Sequence, residues 1–64
     1  MALMTTAQAA EILAVTPATI RSMIRIGVLP AVRIISEYRI DEEDLHRFIE
    51  ENKTAVLPQA EIPD

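Results

Sequence analysis

At 64 residues the chain has room for one domain whose single core is barely sufficient, which leaves little scope for a self-contained enzyme and points to a binding module. It has no cysteine, so disulfides and a Cys/His zinc cluster are both excluded, and with half its residues apolar and a quarter charged it is not a disordered chain. The net charge of −4 conceals a gradient: residues 1–40 carry four arginines against two glutamates, whereas residues 41–64 carry two cations against eight acids.

No acidic residue lies between Ala14 and Ser36. The gradient describes either one basic face with an acidic end or a solvated surface of uneven charge, and charge alone does not separate them. The longest apolar run falls far short of the roughly 20 residues that a membrane span needs. The start of the chain lacks the basic residues of a secretory signal, and the expectation is a cytoplasmic protein without membrane contact.

Taken in chain order, the first helix is announced by Thr5 followed three residues later by Gln8, a capping box in which each side chain satisfies the other's backbone donor. Ala9, Ala10 and Leu13, with Met4 before them, form its apolar side, and Ile12 lies beside it. Ala14, Val15 and Thr16 interrupt the pattern. Thr16 is itself a cap, Pro17 suits a first helical position, and a second helix is predicted over residues 17–26, ended by Gly27 in a left-handed conformation. Ile20, Met23 and Ile24 point inward; Ala18, Thr19, Arg21, Ser22 and Arg25 lie on the other side. Two short helices so joined describe a helix-turn-helix, in which Ala9 and Ala10 allow a close crossing; an ordinary helical hairpin without a ligand has the same pattern.

After Leu29 and Pro30 the period changes to two, which predicts a β-hairpin. With Ser36 as its tip, Arg33 lies opposite Arg39 and Ile34 opposite Tyr38. Val32, Ile34, Tyr38 and Ile40 then share one face and the two arginines the other. Opposed like charges make sense around an anion such as a phosphate, or with Glu37 neutralising the pair. The tip lacks the glycine or asparagine of a primed turn. A third helix opens at Asp41, with Asp44 at its third position and Ile40 and Leu45 as a hydrophobic staple, and fades near residues 52–53. The acids at 41–44 fit helix-start chemistry better than a metal site, and no cofactor or metal is expected. The lone His46 is expected to face solvent, with no nucleophile or paired base arranged around it. Residues 54–64, with two prolines and no period, are expected to be a flexible C-terminal tail beyond a domain of residues 1–53.

Met4 and Thr5, Ala9 and Ala10, Leu13, the run Val15, Thr16, Pro17, Ala18, Thr19 and Ile20, then Gly27, Leu29, Pro30 and Ala31, Arg33 and Ile34, Tyr38, Arg39 and Ile40, Asp44, Leu45 and Phe48 fall in the order and spacing of a known family. Over about residues 3–50 the chain resembles the excisionases, small winged-helix proteins related to the MerR-type DNA-binding head. The resemblance implies a mainly α fold with a small β-hairpin: a winged helix-turn-helix, its second helix in the major groove and its wing on the adjacent backbone or minor groove. Carried over by position, Thr16, Pro17, Ala18, Thr19, Arg21, Ser22 and Arg25 line the recognition surface, and Arg33, Ser36 and Arg39 serve the wing.

The resemblance further implies a recombination directionality factor, phage-encoded or bacterial, that binds and bends attachment-site DNA in a row of adjacent copies and turns an integrase toward excision. Two departures stand out. Members often carry glycine and basic residues at the wing tip, where this chain has Ile35, Ser36 and Glu37. Ile26, Val28 and Ile35 occupy positions where polar residues are expected, so they either join neighbouring copies or, for Ile26 and Val28, lie beneath the tail. A small transcriptional regulator, or an interaction module that no longer binds DNA, shares the same pattern.

Overall fold

The computed structural model describes residues 2–53. The residues fold as β1 (Leu3–Thr5), α1 (Thr6–Leu13), α2 (Pro17–Arg25), β2 (Val32–Ile34), β3 (Glu37–Asp41) and α3 (Glu42–Glu51), with the strands in one antiparallel sheet of order β1-β3-β2. The domain boundary and tail expected from the sequence fall on residues 54–64, outside the described residues.

Each helix starts where the sequence places a cap. The Gln8 N–H donates to Thr5 Oγ1 at 3.1 Å and the Thr5 N–H to Gln8 Oε1 at 2.9 Å, completing the capping box. The Thr19 N–H donates to Thr16 Oγ1 at 3.2 Å, with Pro17 opening α2. At α3 the Asp41 carboxylate accepts from the Glu43 N–H at 2.9 Å. Asp44 does not reach back to close a box there; it pairs with Arg47 at 2.7 Å. The Glu42 N–H is met instead by the Ala2 carbonyl at 2.9 Å, which ties the start of the chain to the start of α3.

Helix ends use the left-handed region twice. Gly27 has φ 87° after α2, as expected. Ala14 takes the same role after α1 at φ 60°, a position where glycine would be unstrained.

The core is Ala9, Ala10, Ile20, Leu29, Ile40 and Leu45, all essentially inaccessible, with Met23, Ile24, Phe48 and Ile49 half-buried around it. Ala9 and Ala10 lie at 0% and 3% exposure, so small side chains do let α1 and α2 approach closely. Burying those four large aliphatics at about 1.5–3 kcal/mol each is the main stabilising term available to so small a domain.

Two expectations about the sheet are corrected. β1 was not anticipated: Met4 pairs with Ile40 and Thr5 with Arg39, which makes the hairpin part of a three-stranded sheet. The wing register also differs by one residue. Val32 pairs with Arg39, Arg33 with Tyr38 and Ile34 with Glu37, leaving Ile35 and Ser36 as a two-residue turn rather than Ser36 as a lone tip. A one-residue slip exchanges faces. Arg33 and Arg39 are therefore not opposed but lie on opposite faces, so no anion is held between them across the hairpin. Val32 and Ile34 share the face of Arg39 and Glu37 and are half-exposed, while Tyr38 and Ile40 face the core side.

Candidate nucleic-acid interface

The exposed side of α2 is set by its buried one. Ile20 fills the core, so Ala18, Arg21, Ser22 and Arg25, spaced by three and four residues, form a single stripe on the other side. Ala18, Arg21 and Arg25 are exposed and Ser22 is half-buried. The Arg25 guanidinium donates to Ser22 Oγ at 3.2 Å, which orients it along the helix. At the helix start the Thr16 and Thr19 hydroxyls bond each other at 3.0 Å. Both hydroxyls are thus engaged in the cap.

The wing carries the remaining arginines differently from one another. Arg33 is exposed, and its Nε donates to the Ile35 carbonyl at 3.1 Å, bracing the turn while its two terminal nitrogens stay available. Arg39 is half-buried on the outer face of the sheet: one terminal nitrogen donates to the Tyr38 carbonyl at 3.0 Å and the other meets the Glu37 carboxylate at 2.9 Å.

Thr5 ends β1 and caps α1, so its pairing with Arg39 brings the first turn of α1 beside the wing. The result is a cleft of about 230 Å³ between the α1 start, α2 and the hairpin. Thr6, Ala7, Arg21, Ser36, Glu37 and Arg39 lie along its walls. Thr6 and Ala7 are the first two residues of α1, whose N–H groups have no acceptor within the helix. No acidic residue occupies the first turn of α1, so its positive dipole end is uncompensated by its own side chains. The structure thus brings Arg21, Ser36 and Arg39 together at one cleft, while Arg25 and Arg33 lie outside its walls. Thr6 and Ala7 escaped the sequence reading. The capping box marks where the helix starts, but only the β1–β3 pairing puts its first turn at this cleft.

The cations divide by element. Among the described residues Arg47 pairs with Asp44, Lys53 with Glu50 at 2.9 Å, and Arg39 with Glu37; Arg21, Arg25 and Arg33 have no acidic partner. Every cation left without a counter-charge therefore belongs to α2 or the wing. The apolar residues singled out in the sequence are all on the surface: Ile26 at 72%, Val28 at 49% and Ile35 at 88% exposure. Ile26 and Val28 flank Gly27 at the end of α2, and Ile35 is at the wing tip, beyond the far end of β2. The alternative of cover by the tail concerns residues outside the described ones.

Two crossed helices with a capped, cation-bearing second helix, followed by a hairpin and a packing helix, define a small winged helix-turn-helix protein. A family model described as a helix-turn-helix domain matches residues 3–53, and the chain belongs to that family. Comparison with curated proteins and with solved structures gives no match. Among the described residues no helix is long and apolar enough to cross a membrane.

Proposed function

We propose that the protein binds double-stranded DNA, with α2 in the major groove and the β2–β3 wing on the flanking backbone or minor groove. One observation carries this reading: the cations without acidic partners among the described residues, Arg21, Arg25 and Arg33, all lie on α2 and the wing, where a winged helix meets DNA. Arg21 is the leading candidate for a base or phosphate contact, since a guanidinium serves guanine and phosphate equally well. Arg25 and Arg33 are phosphate anchors. With Arg39 of the wing as a fourth contact, the slope of log affinity against log salt is about −3 to −4, a modest electrostatic term.

The particular role we infer is that of an excisionase. It is supported by the family membership and by the similarity of residues 3–50 to excisionases and MerR-type heads. In this role the protein bends attachment-site DNA and directs a site-specific integrase toward excision. Copies on adjacent sites meet through the exposed Ile26, Val28 and Ile35, so that cooperativity offsets weak single-site binding.

The test is a gel-shift titration on attachment DNA and on a random duplex at two salt concentrations, followed by an integrase assay with and without the protein. Discrete, cooperative, salt-sensitive shifts with excision dependent on the protein support the full reading. Binding without any effect on the integrase indicates a transcriptional regulator. A folded chain that shifts neither duplex at low salt is an interaction module instead.

A further inference from the structure

The cleft between α1, α2 and the wing is electropositive on every side but one. Arg21 and Arg39 line it together with Thr6 and Ala7 of the first turn of α1, and Glu37 is the single acid among its walls. That carboxylate is bonded to the Arg39 guanidinium at 2.9 Å, while the Tyr38 carbonyl holds the other terminal nitrogen of the same group. One donor on each terminal nitrogen of Arg39 is therefore engaged and its charge is neutralised by Glu37, whereas Arg21 across the cleft has no acidic partner among the described residues.

We propose that the cleft is a seat for one tetrahedral phosphate group, a phosphodiester of the DNA backbone, and that Glu37 is its internal competitor. The Glu37 carboxylate occupies Arg39 until a phosphate displaces it. This inference rests on the DNA-binding reading for the source of the phosphate, but the anion seat itself does not. Three features fit one phosphate in particular. The walls offer guanidinium donors from two elements and backbone donors from a third, which matches an oxyanion that accepts from several directions. The cleft's volume of about 230 Å³ has room for one phosphodiester group with its hydrating water and is not a groove for a whole strand. Glu37 is two-thirds exposed, so it swings into solvent without a buried charge being left behind.

Displacement has a consequence for specificity. A phosphate at this seat contacts α2 and the wing at once, so only a duplex whose backbone passes between recognition helix and hairpin at the right height removes Glu37. Anions approaching Arg25 or Arg33 meet no such competitor. Glu37 thus sets a cost on the use of this seat, which only a backbone that engages Arg21 and Arg39 together repays, a use of repulsion to discriminate between partners.

The experiment has two arms on the full-length protein. In the first, inorganic phosphate is titrated into wild type and Glu37→Gln while amide NMR shifts are followed. The expected result is movement of the Thr6 and Ala7 signals at lower phosphate concentration in Glu37→Gln, and no such movement when Arg39→Gln is added. In the second, duplex affinity is measured against salt for the same variants, with Glu51→Gln on α3 as a charge-matched control. Glu37→Gln should tighten binding by ~3- to 10-fold and steepen the salt slope by up to about one unit, with Glu51→Gln changing it little.

A gain of equal size in Glu51→Gln, or one that survives Arg39→Gln, reduces Glu37 to net charge and overturns the proposal. Weaker binding in Glu37→Gln also overturns it, since Glu37 would then be holding Arg39 in position for DNA. If the amides respond to phosphate but no duplex binds, the seat stands and the DNA reading falls. If they do not respond, the seat is wrong even where DNA binds.

Discussion

Ile35 is the most strained residue of the wing, and replacing it with glycine should stabilise the protein. Its φ is 58°, a region that branched side chains rarely enter, and it occupies the first position of a two-residue turn that ordinarily carries glycine there when only that φ is positive. Holding a side chain in the left-handed region costs about 1–2 kcal/mol. Against its removal stand two smaller terms. The side chain is 88% exposed, so the burial lost with it amounts to roughly 0.3 kcal/mol at about 25 cal/mol per Å². Glycine's extra freedom in the unfolded chain returns about 0.5–1 kcal/mol. The balance is a net gain of roughly 0.5 kcal/mol for Ile35→Gly, with Tm rising a few degrees in a domain of this size.

Ile35→Ala separates backbone from side chain, because it discards the exposed side chain but keeps the Cβ that conflicts with a positive φ. Urea unfolding followed by far-UV circular dichroism should therefore rank Ile35→Gly above Ile35→Ala by about 0.5–1 kcal/mol, with unchanged m values. At an ordinary strand position the order is the reverse. If Ile35→Ala proves the more stable of the two, the turn is not strained in solution and Ile35 does not hold a positive φ there.

Gly27→Ala is the mirror experiment. No atom lies within 4 Å of where its Cβ would stand, so the expected loss of about 0.5–1 kcal/mol is the strain of φ 87° less the unfolded-state freedom that glycine gives up, and it reads out as a lower urea midpoint. Arg21→Ala should weaken DNA binding and reduce the salt slope by about one unit while leaving the thermal midpoint within a degree or two, since Arg21 is exposed and makes no ion pair among the described residues. Ile35→Ser should leave folding and single-site affinity intact and lower cooperativity on adjacent sites in gel shifts. Undiminished cooperativity there would remove Ile35 from the contact between copies.

Local chemistry made the helices legible, and pairing between distant segments made the sheet less so. Thr5 with Gln8, Thr16 with Pro17, and Asp41 each mark a helix start through hydrogen bonds that span at most three residues, and all three appear in the structure. β1 has three residues, too few for alternation to show, and exists because Met4 finds Ile40 and the Ala2 carbonyl finds the Glu42 N–H across almost 40 positions of chain. The wing register is the instructive failure. Placing Val32 and Ile34 on the buried face satisfies hydrophobic patterning, and it requires a lone residue at the tip. The chain instead adopts a two-residue turn, accepts Ile35 at a positive φ, and leaves Val32 and Ile34 half-exposed. Turn geometry and the Ile40–Met4 pairing on the central strand outweigh the alternation of a three-residue edge strand.

The same slip decides the electrostatics of the candidate site. In the register read from the sequence, Arg33 and Arg39 form one pair and Glu37 is an incidental neighbour. In the observed register Arg39 turns toward the α1 start with Glu37 on its own face, and Arg33 is left alone on the other. The two arginines of the hairpin thus differ in accessibility, Arg33 open and Arg39 paired with Glu37. The overall charge of −4 does not oppose this arrangement. Asp41, Asp44 and Glu50 are engaged at the start of α3 or with its own cations, and the stretch from Ala14 to Ser36, which contains all of α2 and β2, has no acid to compete with phosphate. What a nucleic acid meets is governed by where unpaired charge lies within a Debye length of about 8 Å, and Glu37 is the one acid on the walls of the cleft.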